Sequence, residues 1–250
     1  LLPKDGLLVV NGDDKSCLEL PSFTDAKTLT YGITNKNVDF FAVNIVFDND
    51  GFPEFDVYCH DKFYDRIKLH VPGMHNVLNA LGCIALCNEY GISSKDIKNG
   101  LAKFTGAGRR FEYKGKVNGA SIYDDYGHHP TEILATAKAL MNKKYNKSWV
   151  VFQPHTYSRT KLLLNDFAKA LLNFDNIIVL DVYAAREKNT YGVSSKDLVN
   201  RINELGKNAK YIPDFDECVK YLKDNTQEND IILTQGAGTV TQIGSMLLNK

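Results

Sequence analysis

The stretch Ala120-Ser121-Ile122-Tyr123-Asp124-Asp125-Tyr126-Gly127-His128-His129-Pro130 runs from apolar residues into two carboxylates and two imidazoles and closes on a proline. Ala120, Ile122 and Tyr123 read as a short strand. Pro130 suits the first turn of a helix whose apolar stripe is Ile133, Leu134, Ala137, Leu140 and Met141, since a missing amide proton costs nothing there. The polar cluster therefore belongs to a strand-to-helix loop. In an open α/β sheet, ligands bind beyond the carboxyl ends of the strands, where such a loop lies. The plainer reading of the same residues is a capping aspartate beside a surface histidine pair.

Outward from this loop, strand and helix patterns alternate. Short apolar runs at 120–123, 148–152, 176–180, 209–212 and 230–234 are separated by amphipathic stretches near 131–145, 161–173, 195–205, 215–224 and 240–248. Strands joined by crossover helices predict a doubly wound, mostly parallel, Rossmann-like sheet. The later runs also hand over to polar or glycine residues: Gln153, Pro154, His155 and Arg159, then Asp181, Tyr183 and Glu187, then Gln235, Gly236 and Gly238. Their loops are expected to converge on one sheet edge.

Residues 1–105 read differently. Short β-like runs at 7–10, 28–31, 39–47, 55–59 and 62–69 are punctuated by Asn11-Gly12 and Asp50-Gly51, and helices follow at 76–90 and 93–104. This is the pattern of the later part of a mixed α/β domain. Gly106, Ala107 and Gly108 form a plausible linker, so domains at 1–105 and 106–250 are expected.

Composition narrows the classes. The chain has 250 residues, 44% hydrophobic, with 30 basic residues balancing 30 acidic ones, so no global field draws it to nucleic acid or to an anionic membrane. No apolar run reaches the length of a membrane span and no signal peptide is visible. Five cysteines, Cys17, Cys59, Cys83, Cys87 and Cys218, form no CxxC pair, which suggests reduced thiols and a cytoplasmic setting. Cys83 and Cys87 are expected to share a helix face as packing residues rather than as metal ligands. The opening at Leu1, without methionine, suggests that the start of the protein lies upstream.

Several residues carry chemistry. Arg109 and Arg110 offer planar, permanently charged forks suited to phosphate. Asp125 can accept ribose hydroxyls, and His128, titrating near neutrality, can orient or deprotonate an amine. Asn76 and Asn79, one turn apart, can both face a ligand, and an amide matches the edge of adenine; Asn76 also reads as a simple helix cap. As a zinc site the histidine pair is poor, having no HExxH pattern or cysteine companion, and no metal ligands are assigned. No GxxxxGK[ST] loop for a triphosphate occurs in the sequence.

With these motifs in place, the chain resembles the Mur ligases along essentially its whole length. The resemblance rests on residues 72–79, 106–112, 124–132, 152–160, 181–187 and 235–238. It implies that 1–105 is the C-terminal part of a central ATP-binding domain and 106–250 the C-terminal amino-acid-binding ligase domain. It also implies an ATP- and magnesium-dependent amide ligase acting on UDP-N-acetylmuramate and L-alanine through an acyl phosphate. By the resemblance, Asn76 and Asn79 contact adenine, and Arg110 and Asp125 bind phosphates and ribose. Tyr126 and His128 form part of the alanine pocket, Arg159 holds a carboxylate, and His128 and Arg110 are the catalytic candidates. The P-loop and most magnesium ligands would precede Leu1, leaving these residues inactive alone. Thr156 departs from the family pattern, standing where many members have arginine, which removes one cationic contact. A related recycling ligase that adds tripeptides shares the Asp-Asp and His-His-Pro run but not the 152–160 sequence. A non-catalytic nucleotide-binding module is the alternative from a different class.

Overall fold

The computed structural model describes residues 2–249. The chain divides into two compact units, Leu1–Thr105 and Gly106–Lys250.

The first unit is built on β1 (Leu7–Asn11), β2 (Lys27–Gly32), β3 (Phe40–Phe47), β4 (Pro53–Cys59) and β5 (Lys62–Lys68), which lie side by side in chain order. β1, β2 and β3 run parallel, whereas β3, β4 and β5 are antiparallel. A 3₁₀ segment, Cys17–Phe23, links β1 to β2. Helices α1 (Met74–Glu89) and α2 (Ser94–Lys103) follow. Phe40, Phe55, Val57 and Ile67 from the sheet pack with Val77, Leu81, Ile84 and Ala85 of α1, all essentially buried. Each of the larger side chains contributes about 1.5–3 kcal/mol on leaving water. The helix opens earlier than its apolar stripe suggests, at Gly73, whose φ of 97° turns the chain into it. Asn76 is therefore not the cap: it lies inside the first turn and donates from Nδ2 to the Pro72 carbonyl at 2.8 Å. Ser93 caps α2, accepting the Asp96 amide.

The second unit starts with a hairpin of β6 (Glu112–Val117) and β7 (Ala120–Asp125), turned at Asn118 and Gly119, both at positive φ, as a two-residue hairpin turn requires. Then come α3 (Pro130–Met141), β8 (Ser148–Phe152), α4 (Tyr157–Leu162), α5 (Leu164–Leu171), β9 (Asn176–Val179), α6 (Ser195–Glu204), β10 (Ala209–Tyr211), α7 (Phe215–Asn225), β11 (Ile231–Gln235) and α8 (Thr241–Leu248). The sheet order is β10-β9-β8-β11-β7-β6, with only β6 antiparallel to its neighbour.

Side chains on β8 alternate between two cores. Val150 and Phe152 join α3, α5 and α6, while Trp149 and Val151 join α7 and α8. Helices thus cover both faces, as the doubly wound reading required. The antiparallel β6 was not foreseen, because its Glu112, Lys114 and Lys116 suit an exposed edge and dilute the apolar signal. The helix expected over 161–173 begins at Tyr157 and is interrupted at Leu163, whose φ of −110° and ψ of 20° leave the helical region. Its two pieces answer to different anchors: α5 buries Phe167, Ala168 and Leu171, and α4 is tied to a neighbouring loop.

Candidate functional site

The carboxyl ends of β7, β8 and β11 lie next to one another because β11 inserts between β7 and β8. The two aspartates ending β7 are almost entirely buried. Asp124 accepts from the hydroxyls of Thr234 (2.7 Å) and Thr241 (2.8 Å) and from Arg109 Nε (3.0 Å). Asp125 accepts from the amides of Phe111 (2.9 Å) and Gly127 (2.8 Å) and from Gln235 Nε2 (3.1 Å). A buried carboxylate requires such partners, since removing charge from water is costly. Both aspartates thereby weld loops to the strand end. Gly127 has to be glycine: a Cβ there would stand 2.5 Å from Asp125 Oδ1.

Arg109 completes this weld, donating from Nη2 to the Gly236 carbonyl at 2.7 Å and lying 4.9 Å from the Tyr126 ring centre. Arg110 points elsewhere. Its Nη1 is 3.3 Å from Glu132 and its guanidinium 5.7 Å from the Tyr126 ring centre. Glu132 is the hub of the next turn, accepting the amides of His128 (2.9 Å) and His129 (3.1 Å). With His129 as N-cap, this is a capping box for α3. Burial alone would raise the Glu132 carboxyl, but the His128 amide, the Arg110 guanidinium, the His128 charge and the His129 amide outweigh it and hold the group below its ordinary value. The histidine at the N-cap hid this motif from sequence reading, which expects serine, threonine, aspartate or asparagine there.

From Tyr126 a row of rings crosses the sheet edge. Tyr126 and His128 meet edge to face at 5.3 Å, His128 and His155 lie 5.6 Å apart, and His155 stacks on Tyr183 at 5.6 Å. Arg159 Nη1 is 3.5 Å from His155 Nδ1. His155 is held below the ordinary imidazole value by burial first, then by Arg159 and His128, against an upward pull from Glu187. Arg110, Tyr126, His128 and Arg159, expected from sequence, are thus brought together in one row with His155 at its centre. Gly238 makes room for it, since a Cβ there would meet Gln153 Oε1 at 2.4 Å and Tyr183 Cγ at 2.7 Å.

Asn76 and Asn79 belong to the first unit, where Asn79 Nδ2 donates to Asn76 Oδ1 at 3.2 Å. Both line a cavity of about 430 Å³ between α1 and α2, walled by Ala80, Ile97, Leu101 and Phe104. Cys83 and Cys87 also face it, with Sγ atoms 3.9 Å apart, and Cys83 is exposed rather than packed. Among the described residues no group of three or more His, Cys, Asp or Glu side chains converges as a metal site, and no helix is long and apolar enough to cross a membrane.

Comparison with known proteins places the architecture. The family model of the Mur ligase middle domain matches residues 1–87, and that of the Mur ligase glutamate ligase domain matches residues 109–238. The chain belongs to the Mur ligase family. The UDP-N-acetylmuramate–L-alanine ligase of Acetivibrio thermocellus is 44% identical over 248 residues, covering 99% of this chain and 53% of the relative. That of Caldanaerobacter subterraneus subsp. tengcongensis is 45% identical over 250 residues, covering 100% and 54%. Among solved structures, UDP-N-acetylmuramate-alanine ligase from Thermotoga maritima aligns with a TM-score of 0.75 at 27% identity, over 93% of this chain and 53% of that one. The chain spans about half the length of the curated relatives it matches.

Proposed function

We propose that this chain is part of an ATP-dependent amide ligase that joins L-alanine to UDP-N-acetylmuramate in the cytoplasm, a step of peptidoglycan synthesis. The observation that carries this reading is the row from Arg110 through Tyr126, His128 and His155 to Arg159, set on a domain whose relatives bear that ligase name at 44–45% identity. The row offers a cation at each end and imidazoles between. Arg159 is suited to a carboxylate, which its planar fork can grip with two parallel bonds. His128 is placed to orient the incoming amine and take its proton. Arg110, exposed and held by Glu132 and the Tyr126 ring, can turn to phosphate oxygens.

In the reaction so assigned, the muramate carboxylate attacks the γ-phosphate of ATP, the bond to the β,γ-bridging oxygen breaks, and ADP leaves an acyl phosphate behind. The amine of L-alanine then attacks the acyl carbon, and phosphate leaves from the tetrahedral intermediate. Catalysis of this kind is chiefly positioning and charge neutralisation. For ATP, the residues present fit the nucleoside end: Asn76 and Asn79 amides edge an apolar cavity of about 430 Å³, which suits a flat base. Asp125 contributes by shaping the loop after β7, its carboxylate being engaged by Phe111, Gly127 and Gln235. Magnesium finds no cluster of ligands among the described residues, and no role here depends on it.

The test is alanine-dependent phosphate release by the full-length protein with ATP, magnesium and UDP-N-acetylmuramate. Arg159→Lys, which keeps the charge and loses the fork, should raise KM for a carboxylate substrate by about tenfold or more. Release that is indifferent to L-alanine would refute the reading.

A further inference from the structure

Helix α4, which carries Arg159, has six residues and receives no capping bond from its own N-cap, Thr156. Thr156 also sits at φ 67° and ψ 144°, a backbone conformation that a β-branched residue rarely adopts. Contacts outside the helix must therefore hold its start in place. They come from the loop after β9. Thr156 donates its amide to the Tyr183 carbonyl at 2.9 Å, and Tyr183 returns its amide to Pro154 at 2.8 Å. Glu187 then reaches across and accepts both the Ser158 amide (2.9 Å) and the Ser158 hydroxyl (2.5 Å). Its own turn is braced by the Glu187 amide on the Ala184 carbonyl (2.9 Å), past Ala185 at φ 52°.

We propose that Glu187 is a positioning residue for the reaction: by gripping Ser158 it fixes the first turn of α4 and with it the direction of the Arg159 guanidinium. Ser158 immediately precedes Arg159, so a shift of the first turn moves that guanidinium directly. Its carboxylate, held ionised by the Ser158 hydroxyl and amide, is spent on Ser158 and not on Arg159, which contacts the His155 imidazole instead. Arg159 thus keeps a fork for an incoming carboxylate although an anion grips the residue next to it. This inference rests on the assignment of Arg159 to a carboxylate ligand.

The experiment compares Glu187→Ala, Glu187→Gln, Arg159→Ala and the Glu187→Ala/Arg159→Ala pair in the full-length enzyme, measuring rates against L-alanine and UDP-N-acetylmuramate together with amide hydrogen exchange at Ser158. Glu187→Ala should raise one substrate KM by about tenfold while kcat changes less. The double variant should be no worse than Arg159→Ala, because the two side chains act in series. Glu187→Gln, whose Oε1 can still accept the Ser158 amide while its Nε2 donates to the Ser158 hydroxyl, and which should fold where the alanine variant does not, should recover most of the loss. Exchange at Ser158 should quicken in Glu187→Ala. Multiplicative losses in the double variant, or unchanged exchange at Ser158, would overturn the inference while leaving the reading of Arg159 standing. Unchanged KM values in Arg159→Ala would overturn the reading of the site, and the positioning role with it.

Discussion

Arg109 and Arg110 are consecutive in the chain and face different tasks: Arg109 lies 3.0 Å from the buried Asp124, and Arg110 reaches the partly exposed Glu132 at 3.3 Å. The backbone makes the division. Arg109 and Phe111 are both left-handed, at φ 57° and 50°, and the Phe111 amide is pinned to Asp125, so the residue between them is thrown outward.

Replacing the two arginines separates structure from chemistry. Arg109→Ala leaves Asp124 buried with two hydroxyl partners but no cation, and should cost about 3 kcal/mol of stability by chemical denaturation. Arg110→Ala, at an exposed pair, should shift stability by no more than about 0.5 kcal/mol while depressing the proposed ligase activity of the full-length protein. Equal stability losses in the two variants would contradict this division.

Gly238→Ala would press a methyl group into Gln153 Oε1 and the Tyr183 ring base. Gln153 cannot simply retreat, because its Oε1 accepts the Val240 amide at 2.9 Å. Overpacking of this kind costs about 1–3 kcal/mol, and the His155–Tyr183 stack should be disturbed, visible as shifted ring resonances of both residues. A variant as stable as the parent with unmoved resonances would show the contact to be slack.

His155 offers a pH test. Because its folded-state pKa is lowered, the unfolded chain takes up the proton first as pH falls, so the stability it contributes is present above about 6.5 and is lost from there down towards its folded value. NMR titration should place its midpoint below 6.5, and Arg159→Ala, by removing the second cause, should move it up. A midpoint at or above 6.5 in the parent would refute the burial argument.

Glu132 responds at lower pH. Its folded pKa is also depressed, so its contribution is complete above the ordinary glutamate value of about 4.3 and disappears as pH falls through the folded value. Glu132→Ala should destabilise at pH 7 by about 1 kcal/mol, the loss typical of a helix cap, and should flatten the decline in melting temperature between about pH 5 and 3. An unaltered acid profile would mean that other carboxylates set it.

Much of this was legible in the residues. The strand, the polar turn and Pro130 announced β7 and α3, since each is a local matter of periodicity and of one ring that fits a first helical turn. The four polar strand ends pointed to a candidate site at the sheet edge. Other features hid because their partners are remote. Glu187 reads as one more loop acid until Ser158 is seen against it. Arg109 looks interchangeable with Arg110 until the left-handed backbone on either side is known. Asp125 looks free for a ligand until three donors from three segments are found on it.

The sequence by itself determined the class of the protein: alternating apolar runs and amphipathic stretches dictate a doubly wound sheet, and the ordered motifs identify the Mur ligase family. Only the tertiary structure decided which polar side chains are committed to holding loops and which remain open to a ligand. Hydrogen-bond demand is settled by burial and by neighbours distant in the chain, as when β11 slips between β7 and β8 and brings Gln235 and Thr234 against the two aspartates.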